Sequence, residues 1–338
     1  MKAIVQDRYG APEQLELRDV DTPALKDDEV LVRVRATSVH PDVWHVVYGR
    51  PYALRLMGAG LLHPKRRIPG TDMAGTVESL GRSVTRFKIG DDVFGETMRG
   101  YQWNNGGAYA DYVAVPEMNL AKKPANVTHE QAAAVPTSGL IALSSLVHQG
   151  KLQSGQHVLI NGAGGGVGAI AVQLAKALGA QVTAVDAPEK LDMLRALGAD
   201  HIVDYTREDF TGSDVRYDLV LDIPGNRSFS ECRRVLKEEG NYVLVGHDQY
   251  GAAGARWLGS LPRFFKLVLR APFSKNLPPV SFSMPNKRDA MERFAALLAE
   301  GKLTPRIDRT FPLKDAAAAI RYLEGGRSVG KVLLVVAA

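Results

Sequence analysis

The sequence predicts a two-domain α/β protein, a doubly wound parallel sheet beside a β-rich unit that the end of the chain rejoins. Three observations carry this. Short β-branched segments separated by Gly, Pro and Asp fill roughly the first 125 residues. From about Thr128 strand and helix patterns alternate, which argues for a parallel sheet built from βαβ units. The last fifty or so residues return to the earlier style, so we divide the chain at 1–126, 127–285 and 286–338.

In the first unit the expected strands are "KAIVQ", "EVLVRVRATSV", "MAGTVESLG" and "GAYADYVAV", and "IGDDVFG" (89–95) places an Asp-Asp turn between strands. "THEQAAAVPTSGLIALSSLVHQG" reads as Ala/Leu-rich helix interrupted by Pro136 and Gly139. Strands are then expected at 157–161, 181–185, 201–203, 218–222, 241–245 and 280–284. In "PEKLDMLRALGAD", Pro188 sits near the first helical turn, Leu191, Leu194 and Leu197 line one face, and Gly198 ends the helix. The tail reads as helix "KRDAMERFAALLAEG", "TPRIDRTFPL", helix "KDAAAAIRYLEGG" and a closing strand "GKVLLVV". No internal repeat or low-complexity linker interrupts the order. The segment 259–277 interleaves Arg263, Lys266 and Arg270 with Phe264, Phe265, Leu267 and Leu269. Its first reading is a helix or lid at a domain or subunit boundary, and its second is contact with a membrane surface.

Composition narrows the function classes. The chain has 338 residues, 45% hydrophobic and 23% charged, enough to bury a core without disulfides or metals. Its one cysteine, Cys232, permits no intrachain disulfide. The N-terminus "MKAIVQDRYG" lacks the apolar region of a signal peptide, and no apolar run reaches the ~20 residues of a membrane span. A cytoplasmic protein without a membrane span is expected. The net charge is +5, but the 42 Lys and Arg form no long run. Nucleic acid is therefore not the expected partner, and an anionic cofactor or substrate accounts for the mild excess.

The most informative stretch is "INGAGGGVGAIAVQLAKALGA" (160–180), which follows the apolar run "HVL". Its spacing is Ala163-x-Gly165-x-x-Gly168, with Gly162, Gly164 and Gly166 beside it. Small residues there let the chain turn out of a strand, let backbone N–H groups approach a pyrophosphate and let helix pack on sheet. The helix start then presents free N–H groups and its positive dipole end to phosphates. A strand precedes the turn, an apolar helix follows, and Asp186 stands 18 residues past Gly168. That is the context a dinucleotide fingerprint requires. Ala163, Gly164, Gly165, Gly166, Val167, Gly168 and Asp186 are accordingly the candidate cofactor residues.

"GQHVLINGAGGGVGAIAVQLAK" (155–176) resembles the signature of the quinone oxidoreductase/zeta-crystallin branch of the medium-chain dehydrogenase/reductase superfamily. "PGTDMAGTVESLG" (69–81) and "LGADHIVDYTREDF" extend the resemblance over essentially the whole chain. It implies a Rossmann domain beside a GroES-like β-barrel completed by the C-terminal segment, with the active site in the cleft between them. It also implies a homodimer formed through a Rossmann edge strand. Thr137, Val167, Lys190, Tyr205, Gly246 and Lys331 fall on family positions near the dinucleotide.

No metal is expected. A catalytic zinc needs three protein ligands. Where zinc-dependent relatives carry a cysteine this chain reads "TSVHPDVW", and where they carry Gly-His-Glu it reads Gly70-Thr71-Asp72. Without a Lewis acid, oxidising an alcohol is hard. Reducing an electron-poor C=C or a quinone needs only a hydride from NAD(P)H, stabilisation of the anion formed, and a proton.

Candidates for the substrate side come from "HPDVWHVVYGRPY" (40–52): His40, where relatives often carry an Asn, an aromatic wall of Trp44, Tyr48 and Tyr52, and His45 or a Tyr hydroxyl as proton relay. Trp44 and Tyr48 read equally as core residues. NADPH is expected in modest preference to NADH, because Lys190 and Tyr205 offset Asp186. The leading reading is a zinc-independent reductase of quinones or α,β-unsaturated carbonyls. An alcohol or aldehyde dehydrogenase and a non-catalytic NADPH-holding protein stay open beside it.

Overall fold

The computed structural model describes residues 1–99, 106–246, 256–278 and 286–337. The β-rich domain opens with a hairpin of β1 (Lys2–Val5) and β2 (Glu16–Asp19). It continues through β3 (Glu29–Val39), helix α1 (Asp42–Tyr48), the single turn α2 (Tyr52–Leu54), β4 (Asp72–Leu80), β5 (Asp92–Glu96), β6 (Tyr112–Pro116) and β7 (Leu120–Lys122). "GAYADYVAV" thus forms a strand only over its second half, while its Ala110 makes an isolated bridge to Ala3.

The long helical pattern after Thr128 divides into α3 (His129–Ala133) and α4 (Pro136–Leu143). Thr128 caps α3 in a reciprocal box with Gln131, and Pro136 starts α4 as its missing N–H permits. Gly139, expected as an interruption, lies inside α4. A Cβ there would stand 2.8 Å from Cζ of Phe294, so the glycine admits that ring to the helix surface.

The Rossmann sheet follows: β8 (His157–Asn161), α5 (Gly166–Ala177), β9 (Gln181–Asp186), α6 (Leu191–Ala196), β10 (His201–Asp204), β11 (Tyr217–Asp222), α7 (Phe229–Arg233) and β12 (Leu236–Leu244). All four pairings are parallel, in the order β10-β9-β8-β11-β12. The strand order therefore reverses beside β8, and in such sheets ligands bind at that switch point, outside the C-terminal strand ends. The expected strand 280–284 lies outside the described residues.

Helix α8 (Leu261–Arg270) packs Leu267 against a core of β11 and β12 residues, and α9 (Lys287–Ala299) buries Met291 and Phe294 in the core beneath α4. The tail then returns through β13 (Ile307–Pro312), α10 (Ala316–Glu324) and β14 (Lys331–Val335). β14 pairs with β3 through Val332 and Val39, completing the seven-stranded sheet of the first domain. Among the described residues no helix is long and apolar enough to cross a membrane.

Candidate active site

The glycine loop is built by backbone geometry. Gly162 leaves β8 at φ +79°, the left-handed region that glycine occupies without strain. A Cβ on Gly168 would fall 2.3 Å from the Gly162 carbonyl oxygen, so the glycine sets how closely α5 packs on the loop. Gly165 precedes the helix without any side-chain cap, leaving the first N–H groups of α5 without an intrahelical acceptor. A Cβ on Gly165 would meet nothing nearer than 3.6 Å, so that side of the loop is open. Ala163 is fully buried beneath it. An open glycine cradle at an uncapped helix start fits the pyrophosphate of a dinucleotide.

Asp186, at the end of β9, turns its carboxylate back onto this loop. Oδ2 accepts from Gly164 N–H at 2.6 Å and Oδ1 from Ala187 N–H at 2.8 Å. Lys190 Nζ lies 3.4 Å from Oδ1, with both side chains buried. Lys190 is thus packed into the loop floor rather than reaching into solvent. Tyr205 stands half-exposed at the neighbouring strand end, its N–H on the Asp186 carbonyl at 3.4 Å. Burial and the charges of Asp186, Glu189 and Asp204 raise its phenol above the usual range.

From the loop, Val167 reaches the wall of a cavity of about 320 Å³ between the two domains. The Rossmann side adds Ile141, Ile223, Val245 and Gly246, and the β-rich side adds His40, Asp42, His45, Pro51 and Leu54. His40 is 6% exposed. Its Nδ1 accepts the Asp42 N–H at 3.3 Å and lies 3.1 Å from Asp42 Oδ2. Nδ1 thus faces both the N–H and the carboxylate of Asp42, and the ring lines the cavity. Burial pushes the Asp42 carboxyl up, but the charges of His40, His45 and Lys331 outweigh it and hold the group below its ordinary value. His45 donates Nδ1–H to the Arg50 carbonyl at 2.8 Å.

The aromatic wall expected from this segment does not form. Pro41, Asp42 and His45 share the cavity face of the α1 turn. Trp44 and Tyr48, one helical turn apart, point the other way into the core of the β-rich domain, each 6% exposed. The Tyr48 hydroxyl accepts from Arg321 at 2.8 Å. Burial and the nearby Glu324 push it up to about 12, so it holds its proton away from the cavity. Tyr52 lies outside the cavity wall, edge-on to Trp257 at 5.3 Å between ring centroids and under the Arg55 guanidinium.

Thr137 and Lys331 are brought together by a residue the sequence reading noted only as a missing metal ligand. Asp72 is fully buried. Its Oδ1 accepts from Thr137 N–H at 2.9 Å and Thr137 Oγ1 at 2.5 Å, its Oδ2 accepts from Ser38 Oγ at 2.5 Å, and Lys331 Nζ lies 3.7 Å from Oδ2. Lys331 also donates to Ser138 Oγ at 3.2 Å. Burial lowers the lysine from its ordinary value, against the pull of Asp72 and Asp42. A second pair, Lys287 and Glu96 at 2.5 Å, lies alongside. The C-terminal segment also touches the glycine loop directly, since Gly330 N–H donates to the Gly164 carbonyl at 3.0 Å. At the far strand ends, Asp222 accepts from Asn161 and Tyr242 and fixes the turn that carries Ile223.

A dinucleotide cradle opening on a cleft between a parallel sheet and a β-rich domain defines a nucleotide-dependent oxidoreductase architecture. Profiles described as "Alcohol dehydrogenase GroES-like domain" and "Zinc-binding dehydrogenase" match residues 26–125 and 197–334. The 2-methylene-furan-3-one reductase of Solanum lycopersicum is 31% identical, over 99% of this chain and 79% of its own. The chloroplastic NADPH-dependent alkenal/one oxidoreductase of Arabidopsis thaliana is 30% identical over the same shares. The quinone oxidoreductase of Coxiella burnetii superposes with a TM-score of 0.82 at 29% identity, covering 100% of this chain and 99% of that one. The chain belongs to the medium-chain dehydrogenase/reductase superfamily, in its quinone oxidoreductase branch.

Proposed function

We propose that this protein uses NADPH to reduce quinones or the activated C=C bond of α,β-unsaturated carbonyls. The observation that carries the reading is the continuity from the open glycine cradle, through Val167, to a cavity walled by His40. The α5 N-terminus and the Gly164–Gly168 backbone would hold the pyrophosphate, Asp186, Lys190 and Tyr205 would bind at the adenosine end, and Gly246 at the nicotinamide end. When bound, the cofactor supplies a hydride. The apolar Ile141, Ile223 and Val245 keep water from the reacting atoms. His40 Nε2–H donates to the acceptor's oxygen and steadies the charge that builds there. Asp42 Oδ2, 3.1 Å from Nδ1, balances the ring when it carries a second proton. NADPH oxidation monitored with 1,4-benzoquinone and a panel of simple enones tests the reading, and turnover of none of them overturns it.

The modest NADPH preference rests on Lys190. Asp186 is already engaged by two backbone N–H groups and by Lys190, so it is a poor acceptor for a ribose hydroxyl and its charge is partly offset. In Lys190→Ala the carboxylate loses its cation and a 2′-phosphate loses a charge-assisted partner worth about 1.5–3 kcal/mol. The kcat/KM for NADPH is expected to fall about 10- to 100-fold while that for NADH holds. Equal losses with both coenzymes would assign Lys190 to the loop floor alone.

The reading includes metal independence and a homodimer. Among the described residues no three His, Cys, Asp or Glu side chains converge as a metal site, and Cys232 is buried with its thiol pushed up by burial and Asp222. Dialysis against a chelator is expected to leave kcat unchanged. Stoichiometric zinc by elemental analysis, with activity lost on its removal and restored by zinc, would reverse this part of the proposal. Light scattering on the purified protein tests the dimer.

A further inference from the structure

Ten of the 42 Lys and Arg residues that look scattered along the chain lie on two segments that the fold brings together. Two segments, 43–71 and 256–278, contain ten Lys and Arg between them and no Asp or Glu, in a chain whose net charge is only +5. The fold joins them. Tyr52 N–H donates to the Arg256 carbonyl at 2.8 Å, Ala53 N–H to the Trp257 carbonyl at 3.2 Å, and the Tyr52 and Trp257 rings pack edge to face. Both segments also reach the cavity wall, through Pro51 and Leu54 on one side and Ser260 and Leu261 on the other.

The surface they share is apolar as well as basic. Leu56, Leu61 and Leu62 stand exposed from the first segment. From the second, Trp257 is 74% exposed and Phe273 91%, with Phe265 and Leu269 exposed between them. Helix α8 is held to the body by Leu267, in the core beside β12, and by Arg263, which donates to the Gly225 and Arg227 carbonyls. Phe264, Phe265 and Leu269 face outward with the exposed Lys266 and Arg270.

We propose that this collar docks the protein on an anionic lipid bilayer, with the substrate cavity walled by the same two segments. Exposed aromatic and leucine side chains among cations match the interfacial zone and the headgroup charge of such a surface. A second copy fits poorly, because a two-fold contact would set one mostly basic face, with Asp7 beside Arg67 and Glu238 and Glu239 beside Lys275, against another. Nucleic acid would engage the cations but gives no use to exposed Leu56, Leu61, Leu62 and Leu269. Delivery of lipophilic acceptors from the bilayer rests on the proposed reductase activity, whereas docking itself does not.

Vesicle co-sedimentation tests the docking without any turnover. The intact protein is expected to pellet with vesicles of phosphatidylcholine containing about one third phosphatidylglycerol, and to release from them in high salt. In Lys266→Gln/Arg270→Gln the partition coefficient should fall roughly 30-fold, from about 1 kcal/mol per cation near the surface. In Phe273→Ser/Leu269→Ser binding should weaken even at low salt. All four residues are exposed and outside the reaction site, so reduction of water-soluble acceptors should be unchanged. Failure to bind anionic vesicles, binding untouched by both double variants, or stronger retention by a DNA duplex competing with the vesicles would each overturn the proposal. Loss of turnover with vesicle binding intact would instead count against the reductase reading.

Discussion

Replacing Asp72 by alanine is expected to lower the stability of the fold by about 3–5 kcal/mol, the cost of leaving a buried charge without its partner. Lys331 is 4% exposed and would lose its nearest carboxylate, and Thr137 and Ser38 would lose the acceptor of three hydrogen bonds. If the chain melts as one unit, its length makes this a fall in Tm of roughly 4–7 °C. Asp72→Asn keeps acceptor capacity and should fall between the two. Because the cluster ties β3 and β4 of the first domain to α4 of the second and to the returning β14, its loss should also separate the two domains' transitions. Calorimetry reads both effects. An unchanged Tm in Asp72→Ala would mean that water reaches the cluster and that the network is not what holds the junction.

Replacing His40 by alanine is expected to lower kcat/KM for enones about 100-fold, the usual effect of removing one donor aimed at a developing oxyanion. NADPH binding, measured by fluorescence titration, should be nearly unaffected. The ring lines the cavity wall, and removing it also takes from Asp42 the Nδ1 that faces its N–H and its carboxylate. His40→Ala should therefore melt somewhat below the parent chain. Slower turnover with NADPH binding intact, measured well below the melting temperature, distinguishes a reacting group from a packing one. Asp42→Asn tests the second half of the pair: the ring stays in place but loses the carboxylate that balances it when protonated. Its kcat/KM for enones should fall while NADPH binding holds. A His40→Ala enzyme with full kcat would remove His40 from the proposed chemistry.

The glycine-loop half of the candidate site was legible because its information is local. The strand at 157–161, the glycine turn and the helix after it are consecutive in sequence, and the turn's demands fall on residues within a few positions of each other. The Asp186–Gly164 contact follows from that same βαβ unit. The orientation of α1 was partly legible. Val43, Trp44, Val47 and Tyr48 form an apolar helical stripe, the signal that sends both rings to the core and leaves Asp42 and His45 on the other face. The core reading of Trp44 and Tyr48 agrees with that period, the aromatic-wall reading does not, and neither took up Asp42, two residues from His40.

What the sequence by itself determined is the class of fold, the glycine loop after β8 and the segment that walls one side of the cavity. Only the tertiary structure decided which side chains meet. Asp72, Thr137 and Lys331 come from a strand of one domain, a helix of the other and the strand that returns at the chain's end. Segments 43–71 and 256–278 become one basic, apolar collar only where the Arg256 and Trp257 carbonyls accept the Tyr52 and Ala53 N–H groups. Such pairings depend on strand order and on how the domains close over one another. Hydrophobic period and motif spacing report only what lies within a few turns of chain, so they carry no record of them.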